Sequence, residues 1–140
     1  MLNNNNIISK KTKYYLTFIY KIIYNFIHGI KINQNKINVY IMSLNIFNNL
    51  IFLKYNCISF FNSLVDIVVV DYIYLKNRFE INYIFWNMKY EFRFILKSYT
   101  DGIKLLYSIS SFYKSSLWLE REVWDMFGIK FLFIIIYVVY

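Results

Sequence analysis

Leu117-Trp-Leu-Glu-Arg-Glu-Val-Trp-Asp-Met-Phe-Gly-Ile-Lys-Phe131 is the densest local pattern in the chain. Glu120, Arg121, Glu122 and Asp125 lie among two tryptophans and several large apolar side chains, and Gly128 follows. The spacing predicts a short amphipathic helix. Leu119, Val123, Met126 and Phe127 recur at intervals of three and four, so they share the buried face. Ser115 or Ser116 is the expected N-cap. Gly128 suits the left-handed position just past the last turn. Arg121 and Asp125, four apart, are expected to pair across one turn. After Gly128 the chain turns to Ile, Phe, Val and Tyr, which favours a strand.

Upstream, the pattern is that of strands. Ile103–Ile109 reads as a short strand, and Thr100-Asp-Gly102 before it as a turn. Arg78–Met88 and Tyr90–Tyr99 read as a hairpin turning around Asn87–Lys89. Phe79, Ile81 and Tyr83 are expected to face in, Glu80 and Asn82 out, and Glu91 and Arg93 to share a face. A cross-strand pairing of Glu80 with Arg93 is expected, for about 0.2–1 kcal/mol. Cys57–Asp71 is a strand region whose apolar centre suggests a central strand covered on both faces. Asn45–Lys54 reads as a short helix packed under the sheet, and residues 37–43 as a first strand. Residues 14–32 read as a helix, with Leu16, Ile19, Ile23, Phe26 and Ile27 on one face and Gly29 as its stop. Lys21, Asn25 and His28 interrupt it, so a packed or interfacial helix is expected rather than a membrane span of about 20 apolar residues. The expected fold is an α+β two-layer domain: a mixed sheet of four or five strands with helices on one face. Its expected limits are 14–131, between a frayed basic segment at 1–13 and an apolar strand or partner-covered tail at 132–140.

Several stretches together resemble one family. They are Leu64-Val-Asp-Ile-Val-Val-Val-Asp-Tyr72, Arg78-Phe-Glu-Ile-Asn-Tyr83, Glu120-Arg-Glu122 and Trp124-Asp-Met-Phe-Gly-Ile129. Their order and spacing are similar to those of the 30-kilodalton subunit of respiratory complex I, the proton-pumping NADH:quinone oxidoreductase. The resemblance covers about residues 60–131. It implies a subunit of the peripheral arm that packs against the 49-kilodalton subunit, on the matrix side of the mitochondrial inner membrane. Membrane contact would come only through the complex. It also implies that the chain binds no FMN, iron–sulfur cluster or quinone itself, although the complex as a whole uses FMN and iron–sulfur clusters. The residues that carry the signature or would dock a partner are Tyr72, Arg78, Phe79, Glu80, Trp118, Glu120, Arg121, Glu122, Trp124, Asp125, Phe127 and Gly128. Trp and Arg anchors of this kind suit an obligate interface. The family continues past this point with a basic, Pro-containing tail, where this chain reads Phe131-Leu-Phe-Ile-Ile-Ile-Tyr-Val-Val-Tyr140. The expectation is that a partner covers this apolar end and that a separate chain supplies the tail, or that the tail is lost.

Composition sets the outer limits. At 140 residues the chain makes one domain, and 59% hydrophobic residues are ample for a core. Asn, Ile, Tyr, Lys and Phe dominate, a bias that A/T-rich codons explain. The net charge of +8 is uneven: residues 1–65 hold seven lysines and no acid, and residues 66–140 hold nine basic and eight acidic residues. A basic half fits nucleic acid, anionic lipid, an acidic partner or simply a solvated face. Cys57 is the one cysteine and His28 the one histidine, so no disulfide framework or Cys/His metal site arises within the chain.

Enzyme chemistry is poorly provided for. The three glycines, Gly29, Gly102 and Gly128, are far apart and form no phosphate loop. One His and one Cys offer no nucleophile–base arrangement. Glu120 and Glu122, two apart on a helix, point in different directions and make a poor acid/base pair. Two other readings are open. A basic RNA-binding ribosomal protein of an organelle would use the lysines of residues 10–36 among Tyr and Phe. A small membrane protein would need an uninterrupted apolar span of about 18 residues, which is absent.

Overall fold

The structure is a computed structural model that describes residues 27–33, 36–42, 46–56, 61–88 and 91–132. Two patterns of apolar residues organise it. Period-two alternation builds five strands in one sheet, and two helices cover one face of that sheet. The strands are β1 (Ile27–Asn33), β2 (Lys36–Met42), β3 (Ser63–Asp71), β4 (Phe79–Asn87) and β5 (Phe92–Thr100). Their order is β1-β2-β5-β4-β3, with β2 and β5 parallel and the other neighbours antiparallel. The sheet is therefore mixed, as expected. The helices are α1 (Ile46–Tyr55) and α2 (Ser116–Phe127). Two short parallel strands, β6 (Leu106–Tyr107) and β7 (Phe131–Leu132), flank α2 in sequence.

The registers define the core face. Ile37, Val39 and Ile41 of β2 stand beside Phe94, Leu96 and Ser98 of β5, which stand beside Phe85, Tyr83 and Ile81 of β4. Ile46, Leu50 and Leu53 of α1 and Val123 of α2 close over this face. Phe61 fills the middle, with its ring 4.8 Å from Phe94 and about 6 Å from Phe85 and Phe92. Aromatic pairs at these separations add about 0.5–1.5 kcal/mol each beyond their area. The Tyr113 hydroxyl donates to the Phe61 carbonyl at 2.7 Å, and the Lys54 ammonium, 4.5 Å from the Tyr113 ring centroid, donates to the Phe112 carbonyl. These contacts fasten the segment before α2 to both α1 and the chain entering β3.

Several expectations need correction. Residues 27–32 belong to β1, not to the end of a helix, and Gly29 pairs with Tyr40 rather than stopping a helix. The alternation of Ile30 and Lys31, set against Val39 and Asn38, satisfies a strand as well as it did a helical period. The rest of that helix, 14–26, lies outside the described residues, as do the frayed segment 1–13, Cys57 and residues 133–140. The strand β3 begins only at Ser63 and lies at the edge of the sheet, not its centre. Its register shifts between Leu64 and Asp66, so Leu64 and Ile67 both reach the core. The Asp66 carboxylate accepts the Ile67 N–H at 2.8 Å. A bulge and an occupied donor blunt this edge against pairing with another chain. The pairing of Glu80 with Arg93 does not form. Glu80 stands opposite Tyr99, Arg93 opposite Trp86, and Glu91 has a positive φ in the turn. Glu80 and Asn82, expected to face out, are buried. The strand expected over 103–109 is only the two residues of β6.

Gly102 has φ +80° in the turn after β5, and an added Cβ would stand 2.6 Å from the Phe79 ring. Gly128 has φ +71° with open space around it. Both positions penalise an L side chain, but only Gly102 adds a clash. Gly102→Ala is expected to destabilise the domain by about 1–3 kcal/mol, and Gly128→Ala by about 1–2 kcal/mol. Urea unfolding of the two variants measures the difference, and equal losses would show that Phe79 yields freely.

Candidate functional site

Helix α2 ends as its sequence predicts. Gly128 adopts the left-handed conformation, and its N–H bonds to the Trp124 carbonyl at 2.9 Å. Its start differs from expectation. Neither Ser115 nor Ser116 caps it, because the Ser115 backbone is already helical and makes no side-chain cap bond. The Ser115 hydroxyl instead reaches the Leu64 carbonyl at 3.5 Å, and the Ser116 hydroxyl donates to the Tyr113 carbonyl at 2.8 Å.

The rotation of α2 about its axis also differs. Its inner face is Ser116, Glu120 and Val123, with Leu117, Leu119 and Phe127 packed at the margins. Met126, expected inside, is 69% exposed. Glu120 takes the central inner position with no exposed surface. Its two carboxylate oxygens accept the Ser108 hydroxyl at 2.6 Å and the Ile109 N–H at 2.8 Å. Burial raises the Glu120 pKa above the usual glutamate range, against the opposing pull of Ser108, the Ile109 N–H and Ser116. These bonds tie α2 to the segment just after β6. The buried Ser108 and the Ile109 amide were missed in the sequence, where the only signal is three serines, Ser108, Ser110 and Ser111, in the otherwise apolar run from Leu105 to Phe112.

The outer face follows from the inner one. Trp118, Arg121, Glu122 and Asp125 recur at spacings of three and four and are exposed, with Trp118 73% open. Trp124 lies at the margin, partly exposed. The expected pairing of Arg121 with Asp125 is absent. The ion pairs among the described residues are Arg78–Asp71, Lys97–Glu80 and Lys104–Asp101. Glu120 and Glu122 therefore point to opposite sides of the helix, one into the core and one to solvent. As a general acid/base pair they have no common site.

The remaining signature residues form a second group. Arg78 grips Asp71 with two bonds, at 2.6 and 2.5 Å, closing the loop between β3 and β4 at its base. That bond is the main reason the Asp71 carboxyl is held below its usual range. The loop carries Tyr72, Ile73, Tyr74 and Leu75 to the surface. Phe79 packs edge-on against Phe127 at 6.2 Å, so this loop base meets the C-terminal end of α2 next to Gly128. Trp118 stands at the other end of the helix, about 14 Å away by helical rise. Phe79, Glu80, Glu120 and Phe127 are thus structural. Tyr72, Arg78, Trp118, Arg121, Glu122, Trp124 and Asp125 reach the surface.

Glu80 lies on the other face of the sheet. Burial alone would raise its pKa, but bonds from Lys97 at 2.6 Å and the Tyr99 hydroxyl at 2.5 Å outweigh it and hold the carboxyl below its usual range. Lys97, not Arg93, is the partner that the register selects. Because the folded value lies below the unfolded one, this contribution is complete above the unfolded pKa and is lost as pH falls through the folded pKa. Lys97→Met is expected to lower stability at neutral pH by about 1.5–3 kcal/mol and to flatten the loss on the acid side. Unfolding curves from pH 7 down to pH 3 read both effects. An unchanged acid limb would show that Lys97 does not hold the charge of Glu80.

Comparison with known proteins places these features. A family model described as the respiratory-chain NADH dehydrogenase 30 Kd subunit matches residues 39–132. The NADH-ubiquinone oxidoreductase subunit 9 of Acanthamoeba castellanii is 32% identical over 129 residues, covering 90% of this chain and 65% of that protein. The NADH dehydrogenase (ubiquinone) iron-sulfur protein 3 of Beta trigyna is 40% identical over 87 residues, covering 62% of this chain and 45% of its own length. The chain thus spans about half to two thirds of the length of these curated relatives. Two solved structures share the fold. A trypsin-resistant fragment of Nqo5 superposes with a TM-score of 0.69 at 23% identity, over 86% of this chain and 95% of the fragment. A chain of the membrane-bound sulfane sulfur reductase, an archaeal respiratory membrane complex, does so with a TM-score of 0.76 at 19% identity, over 87% of this chain and 71% of its own.

Proposed function

Since this chain belongs to the respiratory-chain NADH dehydrogenase 30 Kd subunit family, we propose that it serves as a scaffold subunit in the peripheral arm of the proton-pumping NADH:ubiquinone oxidoreductase. In this reading it holds the 49-kilodalton subunit and contributes no redox chemistry of its own. The observation that carries the reading is the outer face of α2. Trp118, Arg121, Glu122 and Asp125 belong to the signature, yet the fold does not use them. A large exposed aromatic is costly to leave in water and, beside Arg121, suits the anchor of an interface whose partner pairs the neighbouring charges. The exposed loop at Tyr72–Leu75 extends the candidate surface past the other end of the helix.

A cubane or two-iron cluster takes several thiolates, normally four, and this chain has Cys57 alone, so its residues do not fit an iron–sulfur cluster. Among the described residues no group of three His, Cys, Asp or Glu side chains converges on a metal position. No described helix is long and apolar enough to cross a membrane. In this reading the chain sits on the matrix side of the mitochondrial inner membrane, in contact with lipid only through the complex. The RNA-binding alternative has no support in the relatives that match.

The test is co-migration. The tagged chain, expressed in its own cells, is expected to run on native gels with NADH dehydrogenase activity and the 49-kilodalton subunit. The double variant Trp118→Ala, Arg121→Glu is expected to reduce the co-migrating fraction at least tenfold, since interface anchors of this type are worth about 2–4 kcal/mol. Full co-migration of a folded double variant would remove α2 from the interface. Migration with ribosomes would overturn the reading itself.

A further inference from the structure

The inner face of α2 buries an ionisable group at its centre. Glu120 is a carboxylate without exposed surface, and none of the ion pairs among the described residues involves it. An apolar side chain would fill the position at lower cost. Its oxygens meet Ser108 and the Ile109 N–H, and a further hydroxyl stands behind them. The Ser108 Oγ lies 2.8 Å from the Ser110 Oγ, and the Ser110 N–H donates to the Ser108 Oγ at 3.2 Å. Glu120 and Ser108 are buried, while Ser110 is partly exposed. The three side chains form a hydroxyl-linked file from the core to the surface.

We infer that Glu120, Ser108 and Ser110 form a proton-responsive joint that fastens α2 to the segment after β6 in both protonation states of the carboxyl group. The bonding capacity of the groups supports both states. With Glu120 ionised, the Ser108 O–H donates to its carboxylate, and Ser108 accepts from the O–H and N–H of Ser110. With Glu120 neutral, the acid O–H donates to Ser108, and Ser108 turns its own O–H to Ser110 while still accepting the Ser110 N–H. Each serine keeps one donated bond, and no buried donor loses its partner. Passage between the states is balanced. A proton from water binds at Ser110, one O–H bond forms and one breaks at each serine, and the last proton arrives at Glu120. The Ile109 N–H bond to the other oxygen holds in both states.

The Ser116 hydroxyl, one turn before Glu120, is close enough to favour its charge but donates to the Tyr113 carbonyl, so the file satisfies the carboxyl in both states. Tyr83 of β4 lies close enough for the Glu120 charge to add to the burial that raises its own pKa, and its hydroxyl has no hydrogen-bond partner. Tyr113 turns its hydroxyl to Phe61, Lys54 of α1 turns to Phe112, and Asp66 of β3 turns to its own strand. On α2 itself Arg121 and Glu122 face solvent, and Lys130 before β7 is exposed. The inference stands apart from the docking proposal, since it concerns only how α2 is held to its own domain.

Burial raises the folded pKa of Glu120 above its unfolded value. The folded chain then keeps a proton that the unfolded chain has released. Stability is complete below the unfolded pKa and falls as pH rises through the folded one. The experiment is a carboxyl carbon-13 NMR titration of Glu120 in the full chain, with unfolding curves from pH 4 to pH 9. The expected results are an upshifted Glu120 titration and a fall in wild-type stability across the same window. Glu120→Gln, which mimics the neutral acid, is expected to abolish that fall. Ser110→Ala removes one of two donors to Ser108 in the ionised state, where the residue 110 N–H still serves it, but leaves the buried Ser108 O–H without its acceptor in the neutral state, so it is expected to shift the Glu120 titration downward without unfolding the chain. A Glu120 carboxyl that titrates in the ordinary range overturns the joint. An upshifted titration that Ser110→Ala leaves unmoved overturns the role of the file. The NMR titration of the wild type decides the first point even if Glu120→Gln fails to fold.

Discussion

Where one carboxylate goes decides how the signature helix lies. Apolar contacts are not directional, so an apolar stripe alone sets the roll of an amphipathic helix only loosely. Glu120 removes that freedom. A buried carboxylate must find donors, and Ser108 and the Ile109 N–H offer two at one place on the domain. Once Glu120 points there, Val123 and Phe127 follow it into the core, and Trp118, Arg121, Glu122 and Asp125 must face outward. The same bonds hold the short strand before α2 and so the parallel pairing of β6 with β7. The surface offered to a partner is in this sense set from the inside.

This explains where the sequence was legible and where it was not. The hairpin of β4 and β5, strand β2, helix α1, the turn at Gly102 and the end of α2 at Gly128 all carry local signals, through alternation or a required positive φ. The roll of α2 carries none. Hydrophobic spacing places Met126 inside and Glu120 outside, because it weighs a carboxylate as always solvated. Its donors come from residues eleven and twelve positions earlier, which no helical period reports. Glu80 repeats the case on the other face of the sheet. Its buried position depends on Lys97 and Tyr99, and these are its neighbours only because the register sets Glu80 opposite Tyr99. The misreading of β3 as central has another origin. A run of Val and Ile between two aspartates fits a strand covered on both faces, but an edge strand with a bulge presents the same letters. Residues 27–32 allow both periods, and pairing with β2 chose the strand.

Of the signature residues, the structure assigns a share to folding and leaves a share unused. Phe79, Glu80, Glu120 and Phe127 build the domain. Arg78 closes the loop that lifts Tyr72 to the surface. Gly128 closes α2 in the left-handed conformation, while Trp118, Arg121, Glu122 and Asp125 face solvent. A domain that spends a tryptophan, an arginine and two acids on one solvent-facing helix stripe is shaped for contact with something else, and membership of the 30 Kd subunit family gives that contact its most economical meaning.

The central claim is that the outer stripe of α2 is covered by the partner subunit, with Glu120 turned away from it. A photo-crosslinking amino acid placed at position 118, in cells that assemble the complex, tests this most directly. The account predicts a crosslink from position 118 to the 49-kilodalton subunit, and none from position 65 on the blunted edge of β3, which is also exposed. No crosslink at 118, or an equal yield at both positions, would contradict it.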